Sequence, residues 1–321
     1  MPGASAAARL SAPGLWLTGL ERGLMLAALV IALGGLAGQG LARQYKGERP
    51  GPLPGPWAVR GSLLGVAACA ALLGTALAGP GLAVQLASPP AAGLRSGGTA
   101  EIAAAEVVLF ALAAVLARLR RPGWSALMLC GVIVAEGIRS HPEGIVPVGG
   151  ALLAFCHVTP AVLWAGLLTY ALRTGIEWRH HPAAVRGIIG LYATAAAWLF
   201  ALVVISGVIS AVLLVPVRSV LTTAYGLFLV AKVLVVAAAA SFALAGRRWL
   251  QRDPVRGVGP SQSTRLELAV LAIVLAITGI LTVLTPPAKP ISASRAASAA
   301  GLAHAGSLAG VHIMAHDGGP L

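Results

Sequence analysis

Eight long apolar stretches constrain this chain more than any other feature. A helix needs about 20 largely apolar residues to cross a bilayer, and the predicted spans are Leu20–Leu41, Trp57–Ala78, Glu101–Leu119, Trp124–Arg139, Val146–Leu172, Gly187–Val215, Val220–Ala245 and Leu266–Leu284. With 58% hydrophobic and only 10% charged residues, a soluble domain would have too little polar surface. The sequence therefore predicts an all-α, polytopic transmembrane helical bundle of about eight helices, of which the fourth is short.

The basic residues indicate the orientation of the predicted bundle in the cell membrane. Fifteen of the 23 lysines and arginines fall in the four connections that lie inside if the N-terminus is outside. Cytoplasmic loops carry such an excess, so the pattern favours a multi-pass plasma-membrane protein with both termini outside. The basic cytoplasmic loops then account for the net charge of +13, and no nucleic-acid partner is needed to explain it.

Composition divides the chain into three parts. Residues 1–100 hold two predicted spans and a Pro- and Gly-rich outer loop, and residues 101–290 hold the other six spans. Residues 291–321 are rich in small residues and are predicted to form a disordered, outward-facing tail.

The stretch "AFCHVTPAVLW" sets a thiol, an imidazole and a proline inside the fifth span. At about 1.5 Å per residue, His157 lies roughly 15 Å below the outer end, where a polar side chain is costly and usually faces the bundle interior. Pro160 has no N–H, so the carbonyl of Cys156 loses its helical partner and the helix is expected to kink. Cysteine and histidine together suit copper. The alternative is a histidine that is hydrogen-bonded between helices at a packing kink.

Three further polar residues are predicted on the outer side of the fifth span. His141 follows the fourth span, Glu136 lies near the end of that span, and Glu106 enters the third span from outside. Together they form a predicted vestibule, in which His141 and Glu136 are metal ligands that pass a cation towards His157. The alternative is that His141 is an ordinary loop histidine that binds no metal.

Lys232 lies near mid-depth in the seventh span. A lysine there must find a partner, change its protonation or face water. It is predicted to balance a carboxylate or to act as a gate, and the alternative is a lysine that bridges helix carbonyls.

The C-terminal tail ends "GVHIMAHDGGPL", which brings His312, Met314 and His316 close together. Histidine binds Cu(II) and methionine binds Cu(I) without a folded site. The tail is therefore predicted to gather copper, although such residues also arise in flexible tails by drift.

Other chemistries find little support in the sequence. A di-haem membrane cytochrome needs paired axial ligands on facing helices, and only His157 lies firmly within a span. Nucleotide-binding and hydrolase motifs in a suitable context do not occur. The chain is therefore not expected to be an enzyme.

The second half of the chain resembles a known family. "HVTPAVLWAGLLTYAL" is similar to the "H-L-x-A-x-x-W-x-G-G-L" helix of the bacterial copper resistance protein D (CopD) family. "ISGVISAVLLVP", "LTTAYGLFLVAKVLV" and "RLELAVLAIVLAITGILTVLTPP" resemble the last three helices of that family, in the same order. The resemblance is good from about Arg186 to Pro287 and weaker from Arg139 to Leu172. Before Arg139, only the arrangement of membrane spans is similar.

The resemblance implies a function and four site residues. The family is associated with copper movement into the bacterial cytoplasm, often beside a periplasmic copper-binding partner of the CopC type, which here would be a separate protein. By position it supports His157, His141, Tyr225 and Lys232. This chain has "WAG" where the family often has "WxGG", a change at a packing position.

The sequence therefore predicts an inner-membrane copper transport protein that serves copper import, resistance or homeostasis. Copper would be exchanged from the tail or His141 to His157 with Cys156, with Tyr225, Lys232, Glu106 and Pro160 along the path or its gate. Two alternatives stay open, namely a membrane factor for copper sensing or oxidase metallation without flux, and a haem-binding cytochrome. The oxidation state of copper, the direction of flux and the oligomeric state are not determined by the sequence.

Overall fold

The computed structural model of the protein describes residues 13–78, 99–139, 149–216 and 219–252, with positions 273, 277 and 278. Over these ranges the chain is all-α. Its helices are α1 (Pro13–Ala42), α2 (Ala58–Ala78), α3 (Thr99–Arg118), α4 (Pro122–Ile138), α5 (Gly149–Glu177), α6 (Pro182–Leu214) and α7 (Ala224–Arg252). Seven of the eight predicted spans thus coincide with helices.

The lengths and hydropathies of these helices identify a multi-pass membrane protein. Five of them, α1, α2, α3, α5 and α6, are long and apolar enough to cross a bilayer. The remaining two, α4 and α7, contain shorter apolar segments, Pro122–Ile138 and Tyr225–Ala238. Three predicted features lie outside the described residues: most of the eighth span, the loop that carries His141, and the C-terminal tail.

Prolines mark helix starts and one helix interior. Pro122 and Pro182 occupy the first turns of α4 and α6, where the missing N–H costs nothing because first-turn N–H groups have no partner within the helix. Pro160 lies inside α5, which continues as one helix from Gly149 to Glu177. The bend predicted at Pro160 therefore does not end the helix.

The helices pack as a chain of neighbours around α1. Helix α1 contacts α2 and α5, α3 contacts α2 and α4, and α5 contacts α4 and α6. The buried core between the first five helices is built from Met25, Leu29, Phe110, Leu129 and Ile133, among others. Helices α1 and α2 therefore pack directly against the helices that follow them.

A tight turn between α3 and α4 sets the position of the acidic residues. Arg120 takes a left-handed conformation with φ 57, and the N–H of Arg121 donates to the carbonyl of Leu116 at 2.9 Å, which closes the end of α3. The hydroxyl of Ser125 donates to the carbonyl of Ala113 at 2.9 Å and ties the two helices together. Because α3 and α4 run antiparallel, Glu106 and Glu136 come to the same end of the hairpin.

Candidate metal site and buried charge cluster

The imidazole of His157 faces α6. Its Nδ1 lies 3.0 Å from the Oγ of Ser206, and the backbone of Val203 is close to the ring. A Cβ built on Gly207 would lie 3.1 Å from Cε1 of the ring, so the imidazole edge is in contact with α6. A few residues further along, Trp164 of α5 and Phe200 of α6 pack edge to face, with ring centroids 5.4 Å apart.

These contacts favour one tautomer of the imidazole. The Ser206 hydroxyl has one hydrogen, which it donates to the carbonyl of Leu202 at 2.5 Å. In the tautomer that satisfies this arrangement, Nδ1 of His157 donates to the Ser206 oxygen. A neutral imidazole carries one N–H, so in that tautomer Nε2 keeps a lone pair. Metal-binding histidines commonly have this arrangement, in which the second nitrogen donates to an oxygen that fixes the ring.

Cys156 does not share the environment of His157. The side chain of Cys156 is exposed, whereas His157 is half-buried. Successive residues of an α-helix point about 100° apart, so the thiol and the imidazole project from different faces of α5. The two residues are neighbours in the sequence without converging on one point.

Lys232 and Tyr225 lie on α7, seven residues apart. That spacing places them on one face of the helix, two turns from each other. Both side chains are at least partly buried. Lys232 is within electrostatic range of His157.

A second polar region lies where α3 and α4 meet. Nη2 of Arg139 lies 3.3 Å and 3.5 Å from the two carboxylate oxygens of Glu106 and also forms an ion pair with Glu136. The side chains of Arg139, Glu136 and Glu106 are 7%, 11% and 0% exposed. These are ionisable groups in a buried setting, where the closeness of opposite charges offsets part of the cost of burying each one.

Two residues from the first two helices complete this cluster. The thiol of Cys69 on α2 donates to Oε2 of Glu106 at 3.8 Å. Arg22 on α1 interacts electrostatically with Glu106, Glu136 and Arg139. With two arginines and two glutamates, the cluster is close to neutral when all four are charged. We call Arg22, Cys69, Glu106, Glu136 and Arg139 the outer charge cluster, after the side on which the predicted orientation places them.

The structure thus brings together some of the predicted site residues. Glu106 and Glu136 meet, as the predicted vestibule requires, although their immediate partner is Arg139. His157 and Lys232 come near each other. His141, His312, Met314 and His316 lie outside the described residues. Within the described ranges, no three His, Cys, Asp or Glu side chains form a group that would hold a metal ion.

Sequence reasoning did not identify Ser206 or Arg139 as site residues. Arg139 lies three residues after Glu136, at helical i, i+3 spacing, and this spacing predicts an ion pair. Its basic charge on the outer side, against the positive-inside trend, was a second signal. Ser206 is 49 residues from His157, and no local pattern in the sequence indicates that these two residues meet.

Comparison with known proteins is informative for the second half of the chain. Searches among curated proteins and among solved structures found no match. Residues 186–281 match the family model described as copper resistance protein D. This range includes most of α6 with Ser206 and all of α7 with Tyr225 and Lys232, while His157 precedes it. The resemblance inferred from the sequence is confirmed over residues 186–281, which match the copper resistance protein D model within a multi-pass membrane protein.

Proposed function

We propose that this protein carries copper across the plasma membrane and that His157 is the central ligand on the path. The observation that carries the proposal is the hydrogen bond between Nδ1 of His157 and Ser206, because it leaves Nε2 as a lone-pair donor inside an apolar bundle. The copper resistance protein D match over residues 186–281 supports copper as the cargo.

The proposed path begins at the outer side. His141 and the tail residues His312, Met314 and His316 gather copper, alone or from a separate CopC-type protein. His157 then receives the ion by ligand exchange, since an imidazole binds copper in either oxidation state. Cys156 is exposed on a different face of α5, so we propose it as a transient ligand rather than a permanent partner of His157.

Lys232 and Tyr225 are proposed to form the gate below His157. The ammonium group of Lys232 opposes a neighbouring metal cation, and its charge lies within range of the imidazole. Movement of Lys232 away from His157, or loss of its proton, would remove this barrier. Tyr225 lies on the same face of α7 and offers a phenol oxygen along the path.

A second function is favoured by one observation. A positive charge within electrostatic range of His157 also suits a site that binds copper and holds it, as in a membrane factor for copper sensing or oxidase metallation. A protein with either function would bind copper at His157, but only the transporter would move copper across the membrane.

The test is copper uptake into vesicles that contain the purified protein, measured together with copper binding and normalised to folded protein. We expect His157→Ala to abolish both uptake and the binding at this site, because alanine removes the only imidazole on α5. His181→Ala is the matched control, since His181 is exposed and lies between α5 and α6, and it should behave as the parent.

Each other result has a defined meaning. Unchanged uptake per folded His157→Ala molecule would remove His157 from the path. Binding without uptake in the parent protein would favour the factor that holds copper. A haem absorption band in the purified protein would favour the cytochrome instead.

A further inference from the structure

The surroundings of His157 bear on the charge of the ion that can bind there. Nδ1 is engaged by Ser206 at 3.0 Å, and the ring edge lies against the bare backbone of Gly207, where a Cβ would be 3.1 Å from Cε1. Trp164 follows about two turns later on the same face of α5 and packs against Phe200 of α6. The imidazole is half-buried, so an ion bound to it would exchange part of its hydration shell for a mainly apolar environment.

Loss of hydration distinguishes the two oxidation states of copper. The cost of moving an ion from water into a medium of low dielectric constant scales with the square of its charge, so it is about four times larger for a divalent ion than for a monovalent ion of the same size. Imidazole is a suitable nitrogen ligand for copper, but it is a neutral one. The half-buried ring therefore sets one neutral donor against a desolvation cost that is much larger for Cu(II) than for Cu(I).

The charge that acts on this site has the same sign as a metal ion. In the described part of the chain, Lys232 is the charged residue that acts electrostatically on the imidazole. The energy of two charges is proportional to their product, so the ammonium group opposes a divalent ion about twice as strongly as a monovalent ion at the same distance. This repulsion adds to the discrimination that desolvation produces.

The available donor atoms also suit Cu(I) better than Cu(II). Cu(II) favours a tetragonal set of nitrogen and oxygen ligands, whereas Cu(I) is a d10 ion, and such ions have no geometric preference from their d electrons. Among the residues that the structure describes, no three His, Cys, Asp or Glu side chains form a group. Cys156 offers a soft sulfur ligand on another face of α5, and soft ligands select Cu(I).

We propose that the half-buried imidazole of His157 binds Cu(I) and discriminates against Cu(II) and other divalent ions. The protein then receives copper that is already monovalent, and no electron is transferred at His157. This inference rests on the proposed function, since it specifies the ion that the proposed path carries.

The first experiment compares monovalent and divalent probes on the purified full-length protein. Ag(I) is a monovalent probe that keeps its oxidation state, Zn(II) is its divalent counterpart, and Cu(I) and Cu(II) are measured by chelator competition without oxygen and without reductant, respectively. Binding at the site is the part that His157→Ala removes, which excludes ions held elsewhere in the chain. We expect Ag(I) and Cu(I) to compete for this part and to bind at least about tenfold more tightly than Cu(II) or Zn(II).

A second experiment tests the contribution of the lysine charge. Lys232→Leu should raise the affinity for every cation, but for a divalent ion by about the square of the factor that applies to a monovalent ion. The preference for Ag(I) over Zn(II) should therefore narrow. Lys232→Arg keeps the charge and is the matched control, in which the preference should stay as in the parent. An equal preference in folded Lys232→Leu and in the parent would overturn the role of the charge.

The results distinguish this inference from the proposed function. If Cu(II) binds at His157 as tightly as Cu(I) and Ag(I), or more tightly, the inference is wrong, while the path through His157 stands. If no probe shows binding that depends on His157, the proposed function itself fails. Thermal unfolding in detergent identifies variants that do not fold, and the comparison of the four ions in the parent decides the inference even if Lys232→Leu is one of them.

Discussion

At the scale of single residues, His157 depends on a partner from the next helix. Ser206 donates its hydrogen to the carbonyl of Leu202 and so presents an acceptor to Nδ1. Without that acceptor, an imidazole in an apolar bundle would have two nitrogens competing for few partners. In the proposed function Ser206 is therefore a positioning residue, which would affect copper binding through the orientation and tautomer of His157.

Ser206→Ala should weaken copper binding without changing the fold. The alanine removes the acceptor for Nδ1–H, and loss of such a partner commonly lowers metal affinity about 10- to 100-fold. Copper affinity is measured by competition with a chelator, and the tautomer by nitrogen NMR of the imidazole. Ser206→Thr keeps the hydroxyl and is the matched control. Equal affinity and an unchanged tautomer in Ser206→Ala would contradict the positioning role.

The sequence predicted the depth of His157 but not its partner. Depth follows from counting residues along one span, and a polar residue at mid-depth must face the bundle interior. The partner depends on how α5 and α6 are rotated against each other, which is a property of packing between residues 49 positions apart. The same holds for Cys69, which is buried and whose thiol donates to Glu106 on another helix.

At the scale of helices, close backbone contact organises the bundle. Gly34 of α1 and Gly166 of α5 face each other, and a Cβ on either would overlap the backbone of the other. Lipid provides no hydrophobic driving force between helices, so small residues that allow tight van der Waals packing stabilise such pairs. Gly166 lies nine residues after His157, and this contact fixes the helix that carries the proposed ligand.

Gly166→Ala should therefore destabilise the protein. The added methyl group would lie 2.6 Å from the carbonyl oxygen of Val30 and would overlap Gly34. Because backbone atoms cannot move aside as a side chain can, we expect a loss of about 1–3 kcal/mol, as for other overpacked sites. Thermal unfolding in detergent measures it. Gly190→Ala on α6 is the control, since nothing lies within 4 Å of its Cβ position.

Hydrophobic length predicted the helices well, because a run of apolar residues has few alternatives in a membrane. The order and approximate bounds of α1 to α7 agree with the predicted spans, including the short fourth one. The contacts between helices could not be predicted from hydrophobic length. Arg139 was counted only as a basic residue outside the membrane, yet it bridges two acids from α3 and α4, because antiparallel packing brings those ends together.

At the scale of the whole molecule, the C-terminal tail is predicted to be auxiliary. Deletion of Ser292–Leu321 removes His312, Met314 and His316 but none of the predicted spans. We expect copper uptake to persist at high external copper and to weaken at low copper, because a flexible gathering segment raises the local concentration. Uptake across a range of copper concentrations tests this. Complete loss of uptake in a normally inserted protein would mean that the principal site lies in the tail.

The charge pattern of the whole chain predicts its orientation. Arg43, Lys46 and Arg49 lie between α1 and α2, and most other basic residues fall in connections on that same side if every span crosses. Cytoplasmic loops carry this excess, so the α1–α2 connection should be inside and both termini outside.

A reporter that is active only in the cytoplasm tests this orientation when fused after Gly51 and after Leu321. Gly51 lies in the α1–α2 connection, and a Cβ there would meet nothing within 4 Å, so the fusion point tolerates an attached domain. We expect activity after Gly51 and none after Leu321, because eight crossings return the chain to the side on which it began.

A third fusion after Gly257, in the connection before the eighth predicted span, should be active like the first. Activity at all three points would mean that Leu266–Leu284 does not cross the membrane, and the metal-gathering residues of the tail would then lie inside, where they could receive copper but not collect it.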